Sequence, residues 1–334
     1  MSSETLQDLN EKRSPKHLKS LTDESFLSDI NSLLQTREIQ TYQDVLEEFP
    51  IFFVIGVPRS GTTLTAQLIA HGLDVGYMNN FMARFWLAPV TGIKLSQIIF
   101  GDADKKTDFQ SRYATTAHVT DLHAFGYFWR HWFRKEKLTD FVRAGQDIDD
   151  IDWDGLRRTL LNIQHEFGKP VLFKNLFGAY YIEQFLQLLE KVVFIYIERD
   201  PVDSAISILN ARKNYYTDPN LWWSTVPLEY EQLKDLSAAA QVAGQVYFLR
   251  KLYRQQINAV KGERIISIRY RDLCDNPLVI LEQIQQKCQQ WFGLDIQIAK
   301  HLPKKFTYRQ YDDPQQRAKF QQLLMDFEQQ DSRS

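Results

Sequence analysis

Ile51-Phe52-Phe53-Val54-Ile55-Gly56-Val57-Pro58-Arg59-Ser60-Gly61-Thr62-Thr63-Leu64 is the stretch whose reading decides the fold. The run 51–57 contains no polar residue and no alternation, the pattern of a strand covered on both faces, as in a parallel sheet. Pro58 and Gly61 interrupt it, and 62–73 then sets Leu64, Leu68 and Ile69 at helical spacing, with Gly72 at the end. Strand, glycine-bearing turn and helix thus follow one another directly. The same rhythm returns at 171–173 before a helix over 178–190, and at 192–197 before a helix opening on Pro201. A fourth strand is expected at 265–268, followed by a helix over 277–291, and 229–260 reads as one long helical stretch. Strands alternating with helices predict an α/β fold with a mainly parallel sheet flanked by helices on both faces.

Outward from this stretch, the first residues are polar, and 1–22 is expected to form a flexible N-terminal arm. Phe26, Leu27, Ile30, Leu33 and Leu34 recur at helical spacing over 23–35, and Thr41 with Asp44 reads as the N-cap pair of a second short helix ending before Pro50. With neither repeat nor low-complexity linker, 23–334 is expected to form a single domain carrying a helical and aromatic insertion at about 80–165. The 334 residues hold 40 Lys+Arg against 42 Asp+Glu, a formal charge of -2. Balance of that kind argues against a nucleic-acid coat or a membrane-surface binder, both of which need a basic excess. Cys274 and Cys288 make no disulfide framework and no metal cluster, so buried thiols, no metal and a cytoplasmic setting are expected. Neither a signal core nor about 18 consecutive apolar residues occurs, so no membrane anchor is expected.

The turn 56–63 feeds a helix N-terminus, where unpaired backbone N–H groups and the positive end of the helix dipole hold an anion. Its spacing approaches G-x-x-x-x-G-K-[ST], but Thr62 stands at the lysine position. A nucleoside triphosphate needs that lysine, whereas Arg59 with the hydroxyls of Ser60, Thr62 and Thr63 suits an anion of lower charge. At the end of 192–197 comes Glu198-Arg199-Asp200-Pro201-Val202-Asp203, with Ser207 further along. Arg199 leaves the strand as a planar, permanently charged fork, and Ser207 lies two turns into the following helix.

Pro58-Arg59-Ser60-Gly61-Thr62-Thr63 resembles the 5′-phosphosulfate loop of sulfotransferases that use 3′-phosphoadenosine 5′-phosphosulfate (PAPS), in the style of the tyrosylprotein and soluble bacterial enzymes. The segment from Arg199 to Ser207 resembles the 3′-phosphate site of that family, R-[DN]-P-x-D-x-x-x-S. Tyr270-Arg271-Asp272-Leu273 is similar to its Y-E-D-L segment, with Arg271 in place of the acid. The resemblance spans residues 51 to about 292. It implies a P-loop-like fold and sulfuryl transfer from PAPS, without a metal, to a hydroxyl of a small-molecule, lipid-like or carbohydrate acceptor. It assigns Arg59, Ser60, Gly61, Thr62 and Thr63 to the phosphosulfate, Arg199 and Ser207 to the 3′-phosphate, and Tyr270 to the adenine. Lys174 corresponds to the lysine that relatives direct at the sulfuryl group. A kinase on the same scaffold, or a nucleotide-binding module without catalysis, are the rival readings.

Two bases familiar in the family are missing. Lys174-Asn175-Leu176 replaces Lys-x-His, and Asn79-Asn80 stands where a glutamate is usual. The expected base is therefore His123, oriented by Asp121 on the same face of an extended segment, with His118 and His71 behind it. Phe125, Tyr127, Phe128, Trp129, Trp132 and Phe133 supply more aromatics than one helix face needs. Part of them is expected to line an acceptor pocket, with Trp222 and Trp223 closing over it as a lid. The net charge then describes the outer surface, while the cleft is expected to be basic at Arg59, Lys174, Arg199 and Lys304.

Overall fold

The computed structural model describes residues 8–101, 107–111, 116–141, 150–216 and 218–333. The chain begins with α1 (Asp8–Glu11), α2 (Leu21–Thr41), β1 (Ile51–Ile55), α3 (Thr62–Gly72) and β2 (Gly76–Tyr77). The insertion contributes α4 (Pro89–Phe100), α5 (Gly126–Trp132) and α6 (Trp153–Phe167). Next come β3 (Val171–Lys174), α7 (Ile182–Leu188), β4 (Val192–Glu198), α8 (Pro201–Tyr215), α9 (Tyr230–Leu233) and α10 (Ala238–Ala259). β5 (Ile265–Arg269), α11 (Tyr270–Asp275), α12 (Pro277–Phe292) and α13 (Pro314–Asp331) complete the order.

The five strands form one all-parallel sheet in the order β2-β3-β1-β4-β5. β1 is central, and every residue of it is buried. Its pleat divides the core. Ile51, Phe53 and Ile55 join the cluster containing α5 to α8 and α10, while Phe52 and Val54 join that containing α3, α11 and α12. The Phe53 ring lies 4.6 Å from Phe185 and 5.4 Å from Phe194, so the strand locks to its neighbours through aromatic packing as well as hydrogen bonds. In register, Val54 faces Lys174 and Ile55 faces Tyr196, which brings the carboxyl ends of β1, β3 and β4 to one edge of the sheet, with β4 running two residues further to Glu198. Ligands bind in α/β sheets at this edge, where the loops open.

Several local expectations give way. α2 continues unbroken to Thr41, whose hydroxyl bonds back to Glu38 O at 2.6 Å. The short helix expected from Thr41 is not there. Instead Asn162 and Gln164 of α6 take up the backbone N–H groups of Gln43, Glu48 and Phe49, so this stretch needs no helix to satisfy its donors. The face of α2 turned to the protein is only partly apolar, with Leu27, Ile30 and Leu34 half-buried on it. Phe26 is 62% and Leu33 75% exposed, whereas Asn31 and Glu38 are buried. Asn31 bonds Arg84 O and Leu87 N, and Glu38 accepts from Val90 N, Thr91 N and Thr91 Oγ1 at the start of α4. A carboxylate on free N–H groups at a helix N-terminus is favourable in both hydrogen bonding and dipole.

The stretch 229–260 is two helices, because the Ser237 side chain caps α10 at Ala240 N. The arm expected at 1–22 is docked over its described part. Leu9 is buried with Trp222 and Phe248, Ser14 N bonds Tyr215 O, and Tyr215 lies between His17 and Arg13. Residues 1–7 lie outside the described residues. Glu38→Ala is expected to cost about 1–3 kcal/mol by stranding buried donors. Leu33→Gln, at an apparently more hydrophobic position, is expected to stay within about 0.5 kcal/mol of the parent. Urea unfolding of both variants reads this inversion.

Candidate active site

At the end of β1, Arg59 adopts a left-handed backbone (φ 70), unusual for a residue with a Cβ. Both of its ends are held from the β4–α8 turn. Arg59 Nε bonds Ser207 Oγ at 3.0 Å, and Arg59 O accepts from Arg199 Nη1 at 2.9 Å. These two bonds offset a backbone cost of about 1–3 kcal/mol. They also join the two segments that sequence reading had treated as separate phosphate sites. Gly61 has φ +103, and a Cβ there would stand 2.2 Å from two carbons of the Tyr270 ring. The tyrosine thus lies against the loop and forms its wall. Gly61 is also the N-cap of α3 and has no side chain, so the first-turn N–H groups of Thr62 and Thr63 stay available to an anion. Ser60 Oγ is buried without a partner, as is Arg199 Nε beside it. Orphaned buried polar atoms at such a loop fit a polar, anionic ligand.

The second half of the site depends on a buried carboxylate. Asp203, 1% exposed, accepts from Tyr308 OH at 2.9 Å, Tyr311 N at 3.1 Å and Arg317 Nη1 at 2.7 Å. It thereby ties the 302–313 segment and α13 across the mouth of the β4 end. Arg199 Nη2 bonds Arg309 O, and its guanidinium lies 5.4 Å from the Tyr270 ring and 5.5 Å from that of Tyr308. Tyr308, Arg309 and Arg317 were missed in the sequence, where attention fell on Lys304 and Lys305. Both of those lysines are exposed. The one available signal was Asp203, an acid with no local partner in its own helix turn.

Lys174 ends β3 at 4% exposure, with no carboxylate of the described residues in ion-pair range. Burial, reinforced by the Arg59 charge, lowers its ammonium to about 7. Such a lysine waits for an anion. His123 lies near it: burial first, then the cations of Lys174, Lys19 and Arg84, depress its imidazole to about 4. Asp121 does not orient this ring, contrary to the extended-segment expectation. Its buried carboxylate accepts from Gln67 Nε2 at 2.9 Å, Thr107 Oγ1 at 3.2 Å and Leu122 N at 2.7 Å, and lies 3.8 Å from His71. The segment is a turn rather than a strand, with Asp121 N bonded to His118 O, so residues two apart do not share a face.

The profile of the sulfotransferase family matches residues 50–292. The chain belongs to the sulfotransferase family. Among solved structures it is similar to sulfotransferase STF9 from Mycobacterium avium, with TM-score 0.54 and 14% identity over 96% of this chain and 80% of that one. It is also similar to STF1 from Mycobacterium tuberculosis H37Rv, with TM-score 0.50 and 17% identity over 85% and 78%. Identities this low speak for the shared fold alone. No curated protein matches the sequence. Among the described residues no helix is long and apolar enough to cross a membrane, and no group of acids, histidines and cysteines is placed to hold a metal.

In this sulfotransferase the two asparagines at the position of the missing glutamate are structural. Asn79 accepts from Met82 N and donates to Ser96 Oγ, and Asn80 donates to Thr116 Oγ1 and His118 O. Asn175 caps the turn after Lys174 by accepting from Phe177 N and Gly178 N. Of the expected aromatic pocket, Phe125, Phe128, Trp129 and Phe133 are core, each at most 2% exposed. Tyr127 is half-buried beside Trp86, ring centroids 4.8 Å apart, with its hydroxyl held by Lys19 and Glu24. Nor is there a tryptophan lid. Trp222 covers the buried Arg212 guanidinium at 4.6 Å, and Gln245 holds Trp223 O and Thr225 O.

Gly61→Ala is expected to abolish binding of adenosine 3′,5′-bisphosphate in calorimetry while leaving the circular dichroism spectrum of the fold. For Lys174, the folded value lies below its ordinary 10.5, so the unfolded chain binds more protons between about pH 7 and 10.5. Stability of the nucleotide-free protein from this residue therefore rises with pH across that window. Lys174→Met is expected to flatten the rise in a pH series of thermal unfolding.

Proposed function

We propose that this sulfotransferase takes its sulfuryl group from PAPS and transfers it to the hydroxyl of an aryl, alkyl or lipid-like acceptor. The observation that carries the donor reading is the link between Arg59, Ser207 and Arg199. One hydrogen-bonded knot presents a helix N-terminus on one side and a fixed guanidinium on the other, as a nucleotide with separate 5′ and 3′ charges requires. Thr62 in the lysine position counts against a triphosphate and hence against a kinase.

On this reading the backbone N–H groups of Thr62 and Thr63, with Ser60 Oγ and Arg59, hold the 5′-phosphosulfate. Arg199 and Ser207 hold the 3′-phosphate, and Tyr270 forms the wall on the adenosine side. As the acceptor oxygen bonds to sulfur, the bond from sulfur to the phosphate oxygen breaks and its electron pair stays on that oxygen. Arg59 and the α3 N-terminus neutralise this charge, and Lys174 neutralises the sulfuryl oxygens. By analogy with phosphoryl transfer, a loose transition state leaves positioning and electrostatics as the main contributions. The half-buried Trp86 offers an apolar face for the acceptor. We place the activity in the cytoplasm, where the buried free thiols of Cys274 and Cys288 remain reduced.

A screen of alcohols, phenols and glycans with labelled PAPS and purified protein tests the reading. Labelling of anionic glycans alone overturns the acceptor class, and failure to bind PAPS overturns the donor. Arg59→Ala is expected to lower kcat about 100- to 1,000-fold, the scale of removing one charge-stabilising donor. Arg199→Ala is expected to weaken adenosine 3′,5′-bisphosphate about 10- to 100-fold, as for a lost hydrogen bond to a charged group, and to weaken adenosine 5′-phosphosulfate by less, through the lost bond to Arg59 O alone. Competition binding with the two nucleotides checks the difference.

A further inference from the structure

We propose that His123 serves the transfer as an uncharged hydrogen-bond donor through Nε2, and not as the base that accepts the acceptor's proton. The inference rests on the sulfuryl-transfer reading for its use, but its premise is a geometry independent of any substrate. The backbone N–H of Phe125 donates to His123 Nδ1 at 2.9 Å. An amide nitrogen only donates, so Nδ1 must present its lone pair. A neutral imidazole has a single N–H, which therefore sits on Nε2.

The surroundings hold the ring in this state. His123 N donates to Met78 O at 2.8 Å, and the neighbouring Asn79 and Leu122 pair as an antiparallel bridge, which fixes the backbone under the ring. Phe125 takes a left-handed conformation (φ 52, ψ 40), the turn that swings its N–H back onto the imidazole. Its side chain is buried in the core, so the turn is anchored. The opposite tautomer would set Nδ1–H against the Phe125 N–H and lose the bond. The Asp121 carboxylate does not replace it as an acceptor, being occupied by Gln67, Thr107 and Leu122.

The charged groups facing the ring are Lys174 from β3, Lys19 from the segment before α2 and Arg84 from the turn before α4. Lys19 and Arg84 are cations, and Lys174 becomes one when an anion binds beside it. An imidazolium among them is doubly disfavoured, by repulsion and by burial. A proton acceptor would have to become that imidazolium in the course of the reaction. A neutral N–H beside Lys174 instead gives the sulfuryl oxygens a second donor without adding charge to a site already rich in it. The acceptor's proton needs no strong base. Once the oxygen is bonded to sulfur and the electron pair has gone to the departing phosphate, the protonated oxygen is strongly acidic and passes its proton to water.

Nitrogen-15 NMR of the full chain, labelled at histidine, reads the tautomer directly. The His123 signal, identified by its loss in His123→Gln or by its contact with the Phe125 amide proton, is expected to show Nε2 protonated and Nδ1 bare. Protonation at Nδ1 overturns the proposal. This readout needs no turnover, so a protein that fails to use PAPS defeats the function reading and leaves the tautomer result standing. Turnover supplies the second arm. Glutamine retains an N–H donor near the Nε2 position but takes up no proton at neutral pH. His123→Gln is expected to keep kcat within about tenfold of the parent, and His123→Ala to lose about 100-fold, the scale of an oxyanion donor. Equal loss in both variants, with adenosine 3′,5′-bisphosphate still bound, restores His123 as the base.

Discussion

The parallel register around β1 is the constraint on which everything else depends. Pairing Val54 with Lys174 and Ile55 with Tyr196 brings three strands to one level, with β4 running two residues beyond it. From that level the loop with Arg59, the lysine of β3 and the turn with Arg199 all emerge on the same side. A shift of β4 by one residue would reverse the faces of its side chains and carry Arg199 away from Arg59 O. The site is therefore as rigid as the sheet, and the sheet is rigid because Phe52, Phe53 and their neighbours are wholly enclosed.

Within that frame the electrostatics are those of a protein prepared for an anion. Lys174 is buried without a carboxylate, Arg199 has an unpartnered Nε, and Ser60 Oγ is buried without a partner. Each is costly alone and becomes favourable when a charged ligand supplies the missing acceptor. The overall charge of -2 is compatible with this, since the acids lie mainly elsewhere or are engaged. Asp203, the acid nearest the knot, is spent on Tyr308, Tyr311 and Arg317 and does not neutralise Arg199. Its effect is to hold the C-terminal segment where Arg309 O meets the arginine.

Legibility varied with the kind of signal. The strands at 51, 171, 192 and 265 were readable because an uninterrupted apolar run has few other uses in a chain of mixed composition. α2 was only partly legible because Leu27, Ile30 and Leu34 do face the protein, but the most buried positions of that face are Asn31 and Glu38, which serve the backbone of other segments. No periodicity reveals that exchange. The extent of α2 to Thr41 and the break at Ser237 are marked by short-range side-chain bonds, Thr41 to Glu38 O and Ala240 N to Ser237. α13 lay beyond the family resemblance and was not read, although Phe320, Leu323, Leu324 and Phe327 recur at helical spacing after the Asp313–Pro314 start; its packing on α8 and α10 makes it evident.

The alternation of buried strands and helices, the glycine-bearing turn at 56–63 and the Arg199–Ser207 pattern were determined by local sequence, because each depends on residue types a few positions apart. What only the tertiary structure decided was partnership. It joined Arg59 to Ser207, took Asp121 away from His123, turned Asn79 and Asn80 into structural braces, and put most of the aromatic segment into the core. Those outcomes rest on contacts between residues tens to more than a hundred positions apart. Hydrogen bonds and packing act through space, and the order of residues along the chain holds no record of which donor will finally meet which acceptor.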